Sequence, residues 1–88
     1  MPAVTVGLPA SLTAPGPARD HVCEAATVGE ALRALVAQAP QLAARIFYGD
    51  RLLVVVTLNG RQLSPAGVQD VPLSAGDRLD LLIPVAGG

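Results

Sequence analysis

Ala75-Gly76-Asp77-Arg78-Leu79-Asp80-Leu81-Leu82-Ile83-Pro84-Val85-Ala86-Gly87-Gly88 closes the sequence. Gly76-Asp77 reads as a turn. Leu79, Leu81 and Ile83 then alternate with Arg78, Asp80 and Leu82, which is the period of a strand with one apolar face turned to a core. Pro84 ends that strand. Two residues without Cβ atoms follow at 87 and 88; they can take backbone angles closed to other residues and can thread a slot too narrow for a side chain. Five residues beyond Ile83, if extended, reach roughly 17 Å at about 3.3 to 3.6 Å per residue. A Gly-Gly end is equally the mark of an ordinary frayed terminus, so the rest of the chain decides between the two readings.

Working back from this strand, Ser64 to Gly76 is mostly turn, with Val68, Val71 and Leu73 as apolar anchors. Asn59-Gly60 supplies the two positive φ angles of a type I′ hairpin returning through Arg61-Gln62-Leu63. Leu52 to Leu58 is a β-branched apolar run, too continuous for a one-faced surface strand, and is expected to form a central strand covered on both sides. Further back, Thr27 and Glu30 have the spacing of a capping box, each side chain able to satisfy the other residue's backbone N–H. The helix it opens carries Val28, Ala31, Leu32, Leu35, Val36 and Ala39 on one stripe, and Pro40 ends it. Leu42 and Ile46 suit one further short helical turn before Gly49-Asp50. At the start, Val4, Val6 and Leu8 alternate with Thr5 and Gly7 as a strand. A loop over Ser11 to Asp20, containing Pro15-Gly16-Pro17, connects it to a second short strand around His21 to Ala25.

The order β, β, α, β, β and a last β lets one amphipathic helix bury its stripe on one face of a sheet, a two-layer α+β domain. At 88 residues the chain is expected to be one unit over residues 1–88, since so short a sequence cannot be divided between two cores. Half of the residues are hydrophobic, with one Tyr, one Phe and no Trp, so the core must be aliphatic. A net charge of −1 without a basic cluster, and almost no aromatic residues for base stacking, argue against nucleic acid. One cysteine, Cys23, and one histidine, His21, leave neither an internal disulfide nor the usual zinc sets. No apolar run approaches a membrane span and no secretory leader is visible, so a cytoplasmic location is expected. Lys is absent, and the only amine is the N-terminus.

The core strand ending Val55-Val56-Thr57-Leu58-Asn59-Gly60, then Ala75-Gly76-Asp77, then Ile83-Pro84-Val85-Ala86-Gly87-Gly88 resembles the ubiquitin-like sulfur carriers of the ThiS and MoaD type, over essentially the whole chain. The resemblance implies a β-grasp fold, with a mixed sheet of four to five strands packed on one main helix and a flexible tail over residues 84–88. It also implies that the chain is not itself an enzyme but a carrier that acts as sulfur-donor co-substrate, or the small subunit of a synthase. An E1-like enzyme uses ATP, with magnesium, to adenylate the Gly88 carboxylate, and sulfur then replaces AMP to give a thiocarboxylate. The carrier needs no bound cofactor. Its implied partners are the activating enzyme, a sulfur donor such as a rhodanese or cysteine desulfurase, and a sulfur-accepting synthase. Gly88 is then the reactive residue and Gly87 gives passage for the tail.

Leu82 lies opposite Leu79, Leu81 and Ile83 in the alternation, on the face away from the helix. With Val54, Val56 and Leu58 on the helix side, Leu53 and Val55 join Leu82 in a small apolar patch beside Pro84, Val85 and Ala86. The patch reads either as a docking surface for the activating enzyme or as an ordinary partly covered strand face. Cys23 and His21 are read as packing residues, and Arg51 and Arg61 as solubilising charges. Two other functions stay open: a modifier joined through Gly88 to amines on other proteins, and an inert β-grasp interaction subunit. The sulfur recipient (molybdopterin precursor, thiazole, cysteine or a specialised metabolite) is not legible.

Overall fold

The helix is where the fold is organised. In the computed structural model, which describes residues 1–13 and 19–84 with only the backbone of Ser11 and Thr13, α2 spans Val28–Gln38. Thr27 caps it, its hydroxyl accepting from the Glu30 N–H at 3.3 Å. The return bond differs from the expected box: Glu30 Oε1 accepts from the N–H of Ala26 at 3.1 Å, one residue earlier than Thr27. Val28, Ala31, Leu32 and Leu35 are completely buried against the sheet.

That sheet has five strands: β1 (Ala3–Gly7), β2 (Asp20–Glu24), β5 (Val55–Leu58), β6 (Arg61–Gln62) and β7 (Arg78–Leu82), in the order β2-β1-β7-β5-β6. β1 runs antiparallel to β2 and parallel to β7, while β5 is antiparallel to both β7 and β6. The one parallel pair needs a crossover, and α2 provides it on one face of the sheet. This mixed sheet with its crossing helix is the β-grasp arrangement, an α+β fold. Val4, Val6, Val56, Leu79 and Leu81 face α2 and are at most 2% exposed, so the alternation read in the first and last strands places the core correctly. The Asn59-Gly60 hairpin is present as expected, with φ of 51° and 86°.

Four expectations are corrected. Residues Ala10–Thr13 form a short helix, α1, which runs into the stretch read as loop from Ser11, and Leu12 packs into the core at 5% exposure. The Pro15-Gly16-Pro17 segment lies outside the described residues. The apolar run Leu52 to Leu58 is not one strand. Its start, β4 (Arg51–Leu52), pairs with β3 (Phe47–Tyr48) in a separate two-stranded ribbon after the short helix α3 (Ala43–Ile46), and the chain bends at Leu53-Val54 before β5 begins. β5 is also covered fully on one face only: Val56 is buried, while Val55 and Thr57 are half-buried. Finally, Ile83 lies past the end of β7 and is 42% exposed, so it leaves the core row that Leu79 and Leu81 begin.

The turn-rich stretch is fastened to the helix start. Val28 N–H donates to Val71 O at 3.0 Å and Leu73 N–H to Ala26 O at 2.9 Å. Gly29 permits this approach, because a Cβ there would stand 3.0 Å from the Gln69 carbonyl oxygen. Val68 and Leu73 are buried as the expected anchors.

Candidate functional site

The described part of the tail root is Ile83 and Pro84, both exposed, at the end of β7. The expected reactive residue Gly88, together with Gly87, Val85 and Ala86, lies outside the described residues. What the structure positions is the surface from which they leave.

On the sheet face away from α2, Leu82 is opposite Val55 in the β5–β7 register. Leu82 is 46% exposed and Leu53 38%, with Val55 half-buried between strands. Register thus brings Leu82 and Val55 onto one face, while Leu53 lies outside β5 at the bend and Ile83 follows the end of β7, each an exposed apolar side chain. Such a patch at the end of one strand is more than scattered surface leucines, because register fixes Leu82 and Val55 as direct cross-strand neighbours. Leu53 and Val55 also reach into an open groove of ≈ 610 Å³, which Pro84 borders.

The same face carries a charged row that sequence reading missed. Arg78 Nη2 lies 3.0 Å from both Asp20 Oδ1 and Asp80 Oδ1. The guanidinium crosses over Gly7, where an added Cβ would fall 2.5 Å from Nη2, so this bridge depends on glycine at position 7. Asp20 is held below the usual carboxylate range, first by its hydrogen bond to Arg78. Arg78 is in turn made harder to deprotonate, first by Asp20 and then by Asp80. The β1–β7 and β1–β2 registers, which bring positions 7, 20 and 80 into one row, are the signal. They follow from long-range pairing that no local pattern reports.

At the other end of β7 the motif residues Asn59 and Asp77 meet. Asn59 Nδ2 donates to Asp77 Oδ1 at 3.0 Å, while Asn59 Oδ1 accepts from the Arg78 N–H at 2.9 Å. Asp77 Oδ2 accepts from the Ser74 N–H at 2.8 Å. These bonds to its ionised form, Ser74's first and then Asn59's, hold the Asp77 carboxyl below its usual value. Asn59-Gly60 and Gly76-Asp77 are thus the two halves of one tie closing the sheet, far along β7 from the tail.

Cys23 is 2% exposed, and burial pushes its thiol pKa up, an effect that the Gln38 side chain partly offsets. A thiol so placed is a packing residue and a poor nucleophile. His21 is half-buried on the same strand, its Nδ1 3.4 Å from Gln38 Oε1. Among the described residues no three His, Cys, Asp or Glu side chains gather as metal ligands, and no helix is long and apolar enough to cross a membrane.

Comparison with known proteins agrees with this geometry. Residues 10–88 match the ThiS family. The crystal structure of SAMP1 from Haloferax volcanii is similar at 34% identity and TM-score 0.80, covering 98% of this chain and 99% of that one. The solution structure of small archaeal modifier protein 1 from Methanosarcina acetivorans is similar at 26% identity and TM-score 0.85, covering 100% and 98%. A chain in the crystal structure of the Amycolatopsis orientalis BexX/CysO complex is similar at 27% identity and TM-score 0.82, covering 97% and 99%. No curated protein sequence matches. A match over most of the chain, a β-grasp sheet, and an apolar patch at the root of a Gly-Gly end together place the chain in the ThiS family of small ubiquitin-like proteins.

Proposed function

We propose that the protein is a sulfur carrier whose Gly88 carboxylate is adenylated by an E1-like enzyme and converted to a thiocarboxylate. The observation that carries this reading is the ThiS family match, which runs through Gly88. The chemistry asks for no acid, base or metal on the carrier. A carboxylate is a poor electrophile at neutral pH, and an acyl adenylate has a far better leaving group, so activation precedes transfer. The thiocarboxylate that follows is ionised at neutral pH, and its sulfur is a softer nucleophile than carboxylate oxygen. Every catalytic group in this cycle belongs to the partners: the activating enzyme with its ATP and magnesium, the sulfur donor and the accepting synthase. The 88 residues act as one carrier unit in the cytoplasm and bind no cofactor of their own.

In this reading Gly87 and Gly88 enter the partner's active site, and the patch of Leu82, Leu53 and Val55 beside Pro84 docks the activating enzyme. Val85 and Ala86 span from that patch to the glycines. Docking on an apolar area next to the tail fixes where the tail starts, which removes part of the entropy cost of threading it. A similar chain has been crystallised in a complex, BexX/CysO, in keeping with a protein partner.

A second reading has its own support. Two similar structures bear the name modifier protein, and attachment of Gly88 to amines of other proteins uses the same activated carboxylate. The absence of Lys leaves this chain without an ε-amine to receive further copies.

Intact mass spectrometry after incubation with an E1-like protein, ATP and a sulfur source tests the two together. One oxygen-to-sulfur exchange at the C-terminus is expected of the carrier, and adducts on other proteins of the modifier. An unchanged mass under conditions where the enzyme hydrolyses ATP in the chain's presence refutes both.

A further inference from the structure

The pairing of β5 with β6 stops early, for a reason written in the sequence. Their register pairs Thr57 with Gln62 and Leu58 with Arg61, and the Leu63 N–H donates to Val56 O at 2.9 Å. The next ladder position places residue 65 opposite Val54. Residue 65 is proline, which has no N–H to donate, and beyond Leu63 the chain turns away. Along β5 the even residue Val56 offers its carbonyl to the β6 side, where the Leu63 N–H reaches it, while Asn59 N–H bonds Arg78 O on the β7 side; Val54, at the bend just before β5, is the next even residue, with its own N–H and C=O. Neither group bonds another described residue. Val54 as a residue is 7% exposed, and backbone groups in so apolar a setting gain from a hydrogen-bond partner.

Val54 lines the ≈ 610 Å³ groove, with Leu52, Leu63 and Val68 among its apolar walls. Three charged residues also line it, all exposed: Asp50, Asp70 and Arg51. None of them makes an ion pair with a described residue. The charged lining therefore sums to −1, which disfavours the chain's own anionic end as occupant even though Pro84 stands at the border.

We propose that this groove receives an extended segment of a partner polypeptide, which adds a strand to the Val54 edge of β5 and directs a basic side chain to Asp50 and Asp70. Main-chain bonds to Val54 supply what Pro65 withholds, and alternate apolar side chains enter between Leu52, Leu63 and Val68, the usual division of labour in strand addition. The site does not depend on Gly88 chemistry, and its test needs no activating enzyme.

The test is NMR titration of the full ¹⁵N-labelled chain with an N-acetylated, C-amidated hexapeptide of sequence Val-Thr-Arg-Val-Thr-Val. Expected are saturable amide shifts at Val54, Val56 and Leu63 and slower hydrogen exchange of the Val54 N–H. Binding should weaken about two- to fivefold in Asp70→Asn, the worth of one exposed ion pair, and in a peptide with Glu in place of Arg. Absence of saturable shifts, or shifts confined to Leu82 and Ile83 outside the groove, would overturn the proposal. So would a chain ending at Pro84 whose Val54 amide exchanges faster than that of the full chain, because the tail would then be the occupant.

Discussion

The two ends of β7 are built to opposite specifications. At its start, Asn59 Nδ2 and the Ser74 N–H both donate to the Asp77 carboxylate, Thr5 N–H donates to Asp77 O at 3.0 Å and Gly76 N–H to Ala3 O at 3.0 Å, so three segments are tied at one point. At its finish, Leu82, Ile83 and Pro84 stand exposed on an apolar area. A strand held at one end and bare at the other can present a tail without loosening the sheet, because the rows between, Leu79 and Leu81, remain fully packed. The lesson is a division along one strand between a bonded end and an exposed apolar end.

The comparison breaks most completely at the far tail. Deleting Gly88, or replacing it with a bulky residue, is expected to abolish sulfur loading as read by intact mass, with thermal unfolding unchanged; normal loading of such a variant would refute the carrier reading. In the middle of the strand the effect should be on stability instead. Leu81→Ala removes a side chain that is 1% exposed and is expected to cost about 2 to 5 kcal/mol by urea unfolding.

At the bare end, Leu82→Asp should leave the unfolding midpoint nearly unmoved while weakening binding of the activating enzyme at least tenfold, about 1.4 kcal/mol, by calorimetry. Retention of full affinity would assign the patch to an ordinary strand face. Asn59→Ala tests the tied end. It loses two side-chain hydrogen bonds and puts a Cβ residue without local polar compensation at φ 51°, so about 1 to 2 kcal/mol of stability should go, with sulfur loading per folded molecule preserved.

The smallest effect is a pH dependence. Asp77 has a lower pKa folded than its usual 3.8, so the unfolded chain binds this proton more readily. The tie therefore contributes fully above the unfolded value and is lost as pH falls through the folded one. Asp77→Asn should flatten that acid limb of the stability curve, and an unchanged limb would show that Asp77 does not set it. Asp20, depressed chiefly by Arg78, acts in the same direction and is the control to mutate in parallel.

Legibility followed range. The helix over Val28–Gln38, its Thr27 cap, the Asn59-Gly60 turn and the apolar alternation at Val4 to Leu8 and Leu79 to Leu81 were all readable, since each rests on contacts within a few residues. The two-residue strands β3 and β4 were not. Nothing local in Leu52 to Leu58 marks a bend at Leu53-Val54; it follows from Ile46 O accepting the Leu53 N–H at 2.8 Å, a contact made across the ribbon. Short helix α1 was hidden by the neighbouring Pro-Gly-Pro segment, while Leu12 was drawn into the core by burial. In the candidate site, counting alternate positions was enough to put Leu82 and Val55 on one face, whereas Leu53 stands before the bend, outside that strand. The Arg78 bridge over Gly7 was not, because it joins residues from three strands.

Sequence alone determined the main helix with its Thr27 cap, the Asn59-Gly60 turn, the core rows of the first and last strands and an aliphatic core, because backbone preference and side-chain period act locally. Tertiary structure decided which strands became neighbours. From that came the parallel β1–β7 pair, the tie between Asn59 and Asp77, the opposition of Leu82 and Val55, and the unpaired edge at Val54 where Pro65 ends the ladder. Those features arise from chain segments far apart in sequence, whose meeting is set by burial of the shared core rather than by any residue's own propensity.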